Sequence, residues 1–275
     1  TEPAVERAGS YLGFDERFNR YYTEQGWTPS ETIYVAPDGS GSGASPSEPA
    51  SVESALGRVG PGTLVEFLAG EYAGCYELDS SQSGTYDAPI VLRGARDGDG
   101  APLVRIDCCD TGRRTCINLE AADYVAVDGF ELAGGRYGVR AVGAGYAADE
   151  HQVGVAVLNS VGHDQGADPF FTGQSDWFVI EGCTGHDSGE EDGHAIYLSN
   201  GSDWNIVRHN ETFNTVSSDF QVNADPLSTC ADEDIAYDDP ECDAVAGSSP
   251  TGGRGASDFI LVEGHSCHDS LAPGP

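Results

Sequence analysis

The side chains best suited to chemistry fall in one stretch of the chain. Gly189-Glu-Glu-Asp-Gly-His194 leads into Ala195-Ile-Tyr-Leu, and Ser218-Asp-Phe-Gln-Val-Asn-Ala-Asp225 follows about one repeat later. With Ile196, Leu198, Phe220 and Val222 turned into a core, strand alternation puts Tyr197, Asp219, Gln221 and Asn223 on a shared outer face, and His194 and Asp225 at its ends. An acid, an amide, an aromatic ring and an imidazole on one ridge are what sugar recognition needs; ordinary polar surface on an acidic protein is the competing reading. His194 is the natural proton acceptor near neutral pH. Arg208, the sole arginine between residues 141 and 253, stays charged at any working pH and suits a carboxylate-bearing sugar, but is a poor base. The candidate catalytic residues are therefore His194 and Arg208, and the candidate substrate-binding residues are Tyr197, Glu181, Asp219 and Gln221.

These residues need elements to position them, and the chain supplies them by repetition. Asp123-Tyr-Val-Ala-Val-Asp-Gly-Phe aligns with Asp176-Trp-Phe-Val-Ile-Glu-Gly-Cys, Asp203-Trp-Asn-Ile-Val-Arg-His-Asn and Asp258-Phe-Ile-Leu-Val-Glu-Gly-His, with a weaker copy from Val153. The copies start 30, 23, 27 and 55 residues apart, the last gap holding one further turn and the loop at about 230–257. Short β-branched or aromatic runs at such periods indicate a solenoid of parallel strands, with rungs about 4.8 Å apart. Val127, Val157, Ile180, Val207 and Val262 should then form one buried stack, and Asp128, Leu158, Glu181, Arg208 and Glu263 an outward column. Glu181 and Arg208 become neighbours in that column, as a ligand pair or as a plain cross-strand ion pair. A second column, His163-Asp164, His186-Asp187, Phe213-Asn214 and His268-Asp269, reads as a structural ladder whose side chains bond the backbone of the next rung. The leading aspartates read as turn residues.

Composition narrows the partners. Thirteen basic residues, all arginine, against 46 acidic ones give a net charge of −33, which excludes nucleic acid and argues against anionic membranes. No apolar run reaches the roughly 20 residues of a membrane span. Eight cysteines without a zinc-type Cys-x-x-Cys pair favour disulfides and an oxidising compartment. Cys230 with Cys242, and Cys108 or Cys109 with Cys116, would each close a small loop. Residues 1–31 carry aromatics at helical intervals and are predicted to form one or two short helices packed on one end of the domain. Strands are predicted over Thr32–Ala36, Thr63–Leu68 and Ile90–Arg93, with a short helix capped by Ser51.

Tyr34-Val-Ala-Pro-Asp-Gly-Ser-Gly, the stretch Ser51 to Gly70, the four Asp-led rungs and His194-Ala-Ile-Tyr-Leu-Ser-Asn resemble the parallel β-helix repeat family of pectate lyases and other secreted bacterial proteins. The expected fold is all-β: a right-handed parallel β-helix over residues 32–275, incomplete at its C-terminus, preceded by a helical segment over 1–31. The resemblance implies a secreted or cell-surface protein that acts on polysaccharide, and a lyase acting on acidic glycans as the leading activity. A non-catalytic display or adhesion module is the alternative, and a halophilic structural protein without a ligand a third. The family resemblance also implies uronate binding through arginine and bridging calcium. Asp97-Gly-Asp-Gly and the acidic loop Asp232 to Asp243 are the calcium candidates, neither with EF-hand spacing. Lyases of this fold often use Lys or Arg as the base, and this chain has no Lys. The paired Asp-Asp and Gly-His-Gly signatures of polygalacturonases are absent, and Asp168-Pro-Phe departs from the Asp-Pro-His of alginate epimerases.

Overall fold

A computed structural model describes residues 17–23, 27–108, 114–145, 149–190, 193–223 and 257–269. Each rung visits three faces in turn. Val125–Asp128 joins an eight-stranded sheet, Glu131–Gly134 a seven-stranded sheet and Tyr137–Val142 a six-stranded sheet, before Ala156–Leu158 starts the next rung beside Val125–Asp128. Strand pairs within the three sheets are parallel, and the molecule is a right-handed parallel β-helix as expected.

The corner between the eight- and seven-stranded sheets takes one left-handed residue per rung: Gly129, Asn159, Gly182, His209 and Gly264, with φ between 47 and 83°. At Gly129 an added Cβ would meet the Arg96 side chain, so glycine there serves close approach as well as φ. Just past this corner, buried Asn210 gives its carbonyl oxygen to the Cys183 amide at 2.9 Å and its Nδ2 to the Ile180 carbonyl at 3.0 Å. Such bonds satisfy backbone that the turn takes out of the ladder. The leading aspartates do the same at another corner. Asp123, Asp176 and Asp203 accept from the amides of Val153, Asp203 and Asp258 at 2.8, 3.1 and 2.6 Å.

The predicted core stack is in register: Val127, Val157, Ile180, Val207 and Val262 pair in order. The first four are fully buried. Val262 is 46% exposed, contrary to expectation, because no described strand stacks beyond it. Val222 is likewise exposed at the last described strand of its sheet. The histidine column stacks ring on ring instead of bonding backbone. His163–His186, His186–Phe213 and Phe213–His268 have centroids 5.1, 4.8 and 5.1 Å apart and near-parallel planes, and each imidazole bonds its neighbouring aspartate.

Ser51 caps the helix Val52–Leu56 as predicted, accepting from the Ser54 amide. The described part of the N-terminal segment does not sit on an end of the solenoid. Its helix Arg20–Thr23 lies across the outer face of the eight-stranded sheet, where Phe18 and Tyr22 bury against Leu64, Ala126, Leu158 and Val179. That face is apolar at alternate positions, so it needs a cover. Cys75 and Cys108 form a disulfide across adjacent rungs, and Cys116, predicted to bond Cys108 or Cys109, is a free buried thiol whose pKa burial pushes up to about 12. Cys109, Cys230 and Cys242 lie outside the described residues. Among the described residues no helix is long and apolar enough to cross a membrane.

Candidate functional site

The six-stranded sheet carries one continuous outward column. Parallel pairing aligns Glu77, Asn118, Arg140, Phe171, Tyr197 and Gln221 in successive rungs, a span of about 24 Å at the rung spacing. Tyr137, Phe171 and Tyr197 form an aromatic row along it, with ring centroids 4.9 and 5.3 Å apart. His194 meets Tyr197 edge-on at 5.0 Å.

Two rungs hold His194 in place. Its backbone amide donates to Asp168 Oδ1 at 2.7 Å in the preceding rung, and its Nδ1 lies 3.0 Å from the Ser218 carbonyl and 2.8 Å from Ser218 Oγ in the next. A carbonyl only accepts, so this geometry assigns the proton to Nδ1 and the lone pair to Nε2. Tyr197 Oη accepts from Asn223 Nδ2 at 3.0 Å, which leaves its hydroxyl proton free to point elsewhere. Gln221 sits beside this pair, accepting from Ser218 Oγ at 3.3 Å. His194, Tyr197 and Gln221 thus come together.

The other three candidates do not join them. Asp219 is 3% exposed and turns inward, where Thr215 Oγ1 donates to it at 2.8 Å; it sits at the corner before its strand, where alternation no longer fixes direction. Glu181 and Arg208 are neighbours as expected, but on the eight-stranded sheet. Arg208 is 2% exposed under the N-terminal segment, with Nη2 donating to Tyr22 Oη at 2.9 Å and to Glu181 Oε2 at 3.1 Å. The same cover seals Asp128, which accepts from Tyr21 Oη at 2.6 Å. This column was expected to face solvent; the aromatics of the N-terminal segment close it. Asp225 lies outside the described residues.

A cleft of about 690 Å³ opens at the opposite end of the aromatic row, lined by Cys75, Glu77, Asn118, Tyr137 and three arginines, Arg114, Arg136 and Arg140. Arg140 pairs with Glu120 and donates to Asn118 Oδ1 at 3.0 Å. Arg136 lies over the Tyr137 ring, its Cζ 5.3 Å from the centroid. Burial raises the Tyr137 phenol, against a smaller opposing effect of Arg136. Arg93, Arg96, Arg105 and Arg208 each hold a carboxylate, whereas Arg114 and Arg136 are exposed and pair with none among the described residues. Sequence reasoning missed this cleft. The available signal was that four of the 13 arginines fall between residues 113 and 140.

Calcium needs several free oxygen ligands. Among the described residues no three acidic, histidine or cysteine side chains cluster suitably. In the cleft, Glu77 Oε2 accepts from Asn118 Nδ2 at 3.2 Å, and Oε2 of Glu120 beside it is taken by Arg140 and the same Nδ2. A cation there would sit against a guanidinium, so these residues do not fit calcium. Asp97 Oδ1 is engaged by the amides of Asp99 and Ala101, and the loop 232–243 lies outside the described residues.

No family model matches the chain. Pectate lyase PEL9 of Emericella nidulans is 30% identical over 120 residues, which is 40% of this chain and 29% of that protein. Among solved structures, an alginate lyase from Paenibacillus sp. str. FPU-7 matches with a TM-score of 0.50 at 15% identity, covering 87% of this chain and 75% of the other. The likeness is one of fold, the right-handed parallel β-helix. Pectate lyase Pel9A also matches, with a TM-score of 0.43 and 17% identity over 70% of this β-helix and 64% of that chain. The match to PEL9 spans less than a third of that relative's length.

Proposed function

We propose that this β-helix binds an acidic polysaccharide along the outer face of its six-stranded sheet, with sugar carboxylates in the arginine cleft and sugar rings over Phe171 and Tyr197. The carrying observation is that Arg114 and Arg136 stand without a carboxylate partner among the described residues, in a chain of net charge −33. With carboxylates in such excess, an exposed guanidinium left unpaired beside a cleft is best explained by an anion from outside. The likeness to PEL9 supports a polysaccharide as that anion and a secreted or cell-surface protein as its user. On this reading the chemistry is β-elimination: His194 Nε2 takes the proton α to the sugar carboxylate, the bond to the leaving glycosidic oxygen breaks, and Tyr197 Oη supplies that oxygen with a proton.

One observation favours a non-catalytic display module instead. Tyr197 is two rungs from Arg140, about 10 Å, so no described arginine reaches a carboxylate on a sugar beside His194. A screen of uronate oligosaccharides, reading both binding and absorbance of unsaturated product, separates the two. The expected result is binding with product formation, lost to cleavage but not to binding in His194→Ala. Binding without product leaves the display module; no binding to any uronate refutes the proposal.

A further inference from the structure

Resting on that reading, we infer that the cleft holds sugar carboxylates through the chain's own guanidinium groups, without a bridging calcium ion. In the cleft the positive charge is already part of the protein. Arg114, Arg136 and Arg140 line the cleft together, and among the described residues neither Arg114 nor Arg136 pairs with a carboxylate, Arg136 resting on the Tyr137 ring. The carboxylates that a cation would need face the other way chemically: Glu120 is committed to Arg140, and Asn118 Nδ2 bridges Glu77 and Glu120 at 3.2 and 3.3 Å. An amide nitrogen and a guanidinium occupy the positions where oxygen ligands would have to converge. A carboxylate arriving from outside meets the reverse situation, planar donors in fork geometry on Arg114 and Arg136 with no carboxylate among the described residues to displace.

The disposition of the third arginine adds selectivity. Arg140 is fixed by Glu120 and by Asn118 Oδ1 at 3.0 Å, so its remaining donors are pre-aimed, whereas Arg136 lies along the Tyr137 ring at the cleft wall. A carboxylate bound there sits beside the start of the aromatic row, so its sugar ring meets Tyr137 and the next one Phe171.

The test is titration calorimetry of the full chain with short oligogalacturonate and oligoguluronate, too short to gel, in buffer containing EGTA and again with excess calcium. Affinity should agree within about twofold between the two buffers. Arg136→Ala and Arg114→Ala should each weaken binding by about tenfold or more, the loss expected for one charged hydrogen bond, with unchanged circular dichroism. Arg136→Lys should recover part of it, and a neutral glucan oligosaccharide of equal length should bind no variant differently. Binding that appears only with calcium, and is indifferent to both arginine substitutions, overturns the inference while leaving the acidic-glycan reading intact. Absence of binding in both buffers refutes that reading and this inference with it.

Discussion

At the scale of single residues, burial decides which arginines are available. Arg208 looked like a ligand for a sugar carboxylate and is instead a structural ion, almost sealed between Tyr22 and Glu181. Replacing it by alanine strands the Glu181 carboxylate, whose side chain is 12% exposed, and should cost about 3–5 kcal/mol. Arg136→Ala, at an exposed position, should change stability by about 0.5 kcal/mol or less. Urea midpoints of the two variants check this, and similar midpoints would mean Arg208 is not structural. Asp203 offers a pH test. Burial, more than the carboxylates of Asp176 and Asp258, raises its pKa from 3.8 to about 6. A group raised on folding favours the folded state below its unfolded value and loses that contribution as pH rises through about 6. Asp203→Asn keeps an oxygen for the Asp258 amide and should match wild type near pH 4. At pH 7 it should exceed wild type by on the order of 1 kcal/mol after allowance for partial exposure. Melting curves at the two pH values decide, and equal offsets at both would be the contrary result.

At the scale of elements, the disulfide and the N-terminal segment each fix a face that the rung repeat alone leaves unsettled. Cys75–Cys108 spans 33 residues and ties the lip of the arginine cleft, where Cys75 lies, to the next rung of the seven-stranded sheet. The double substitution of both cysteines by alanine should cost about 3–4 kcal/mol through the freed unfolded chain. It should also weaken glycan binding, because the wall holding Glu77 loses its tether. Denaturant unfolding of the double variant beside the wild type checks this, and an unchanged midpoint would be the contrary result. The opposite face shows why columns with the same repeat differ in use. The outward column of the eight-stranded sheet is covered by Phe18, Tyr21 and Tyr22, while that of the six-stranded sheet keeps Arg140, Phe171 and Tyr197 partly open.

At the scale of the whole molecule, charge works against the ligand at long range and for it at contact. A net charge of −33 repels a polyanion in dilute salt, whereas the arginine cleft attracts it within a few ångströms. Raising ionic strength from about 0.01 to about 0.1 M shortens the screening length from about 30 to about 10 Å and should first speed association. Further salt should weaken the contacts themselves, giving a maximum in affinity at intermediate salt. Stopped-flow association rates across this range test it; a monotonic fall from the lowest salt would show that the cleft dominates at every distance.

The sequence by itself determined the solenoid, its rung register and its core, because alternation and repeat length constrain every rung in the same way: Val127, Val157, Ile180 and Val207 could be aligned by counting. It also brought out His194, Tyr197 and Gln221, whose strands carry the same alternation. Only the tertiary structure decided which outward columns meet solvent. That depends on where a non-repeating segment lies, and the covering of Arg208 by Tyr22 joins residues 186 positions apart. The arginine cleft was illegible for the related reason that Glu77, Asn118 and Arg140 come from rungs of unequal length, and only parallel pairing shows them to be neighbours.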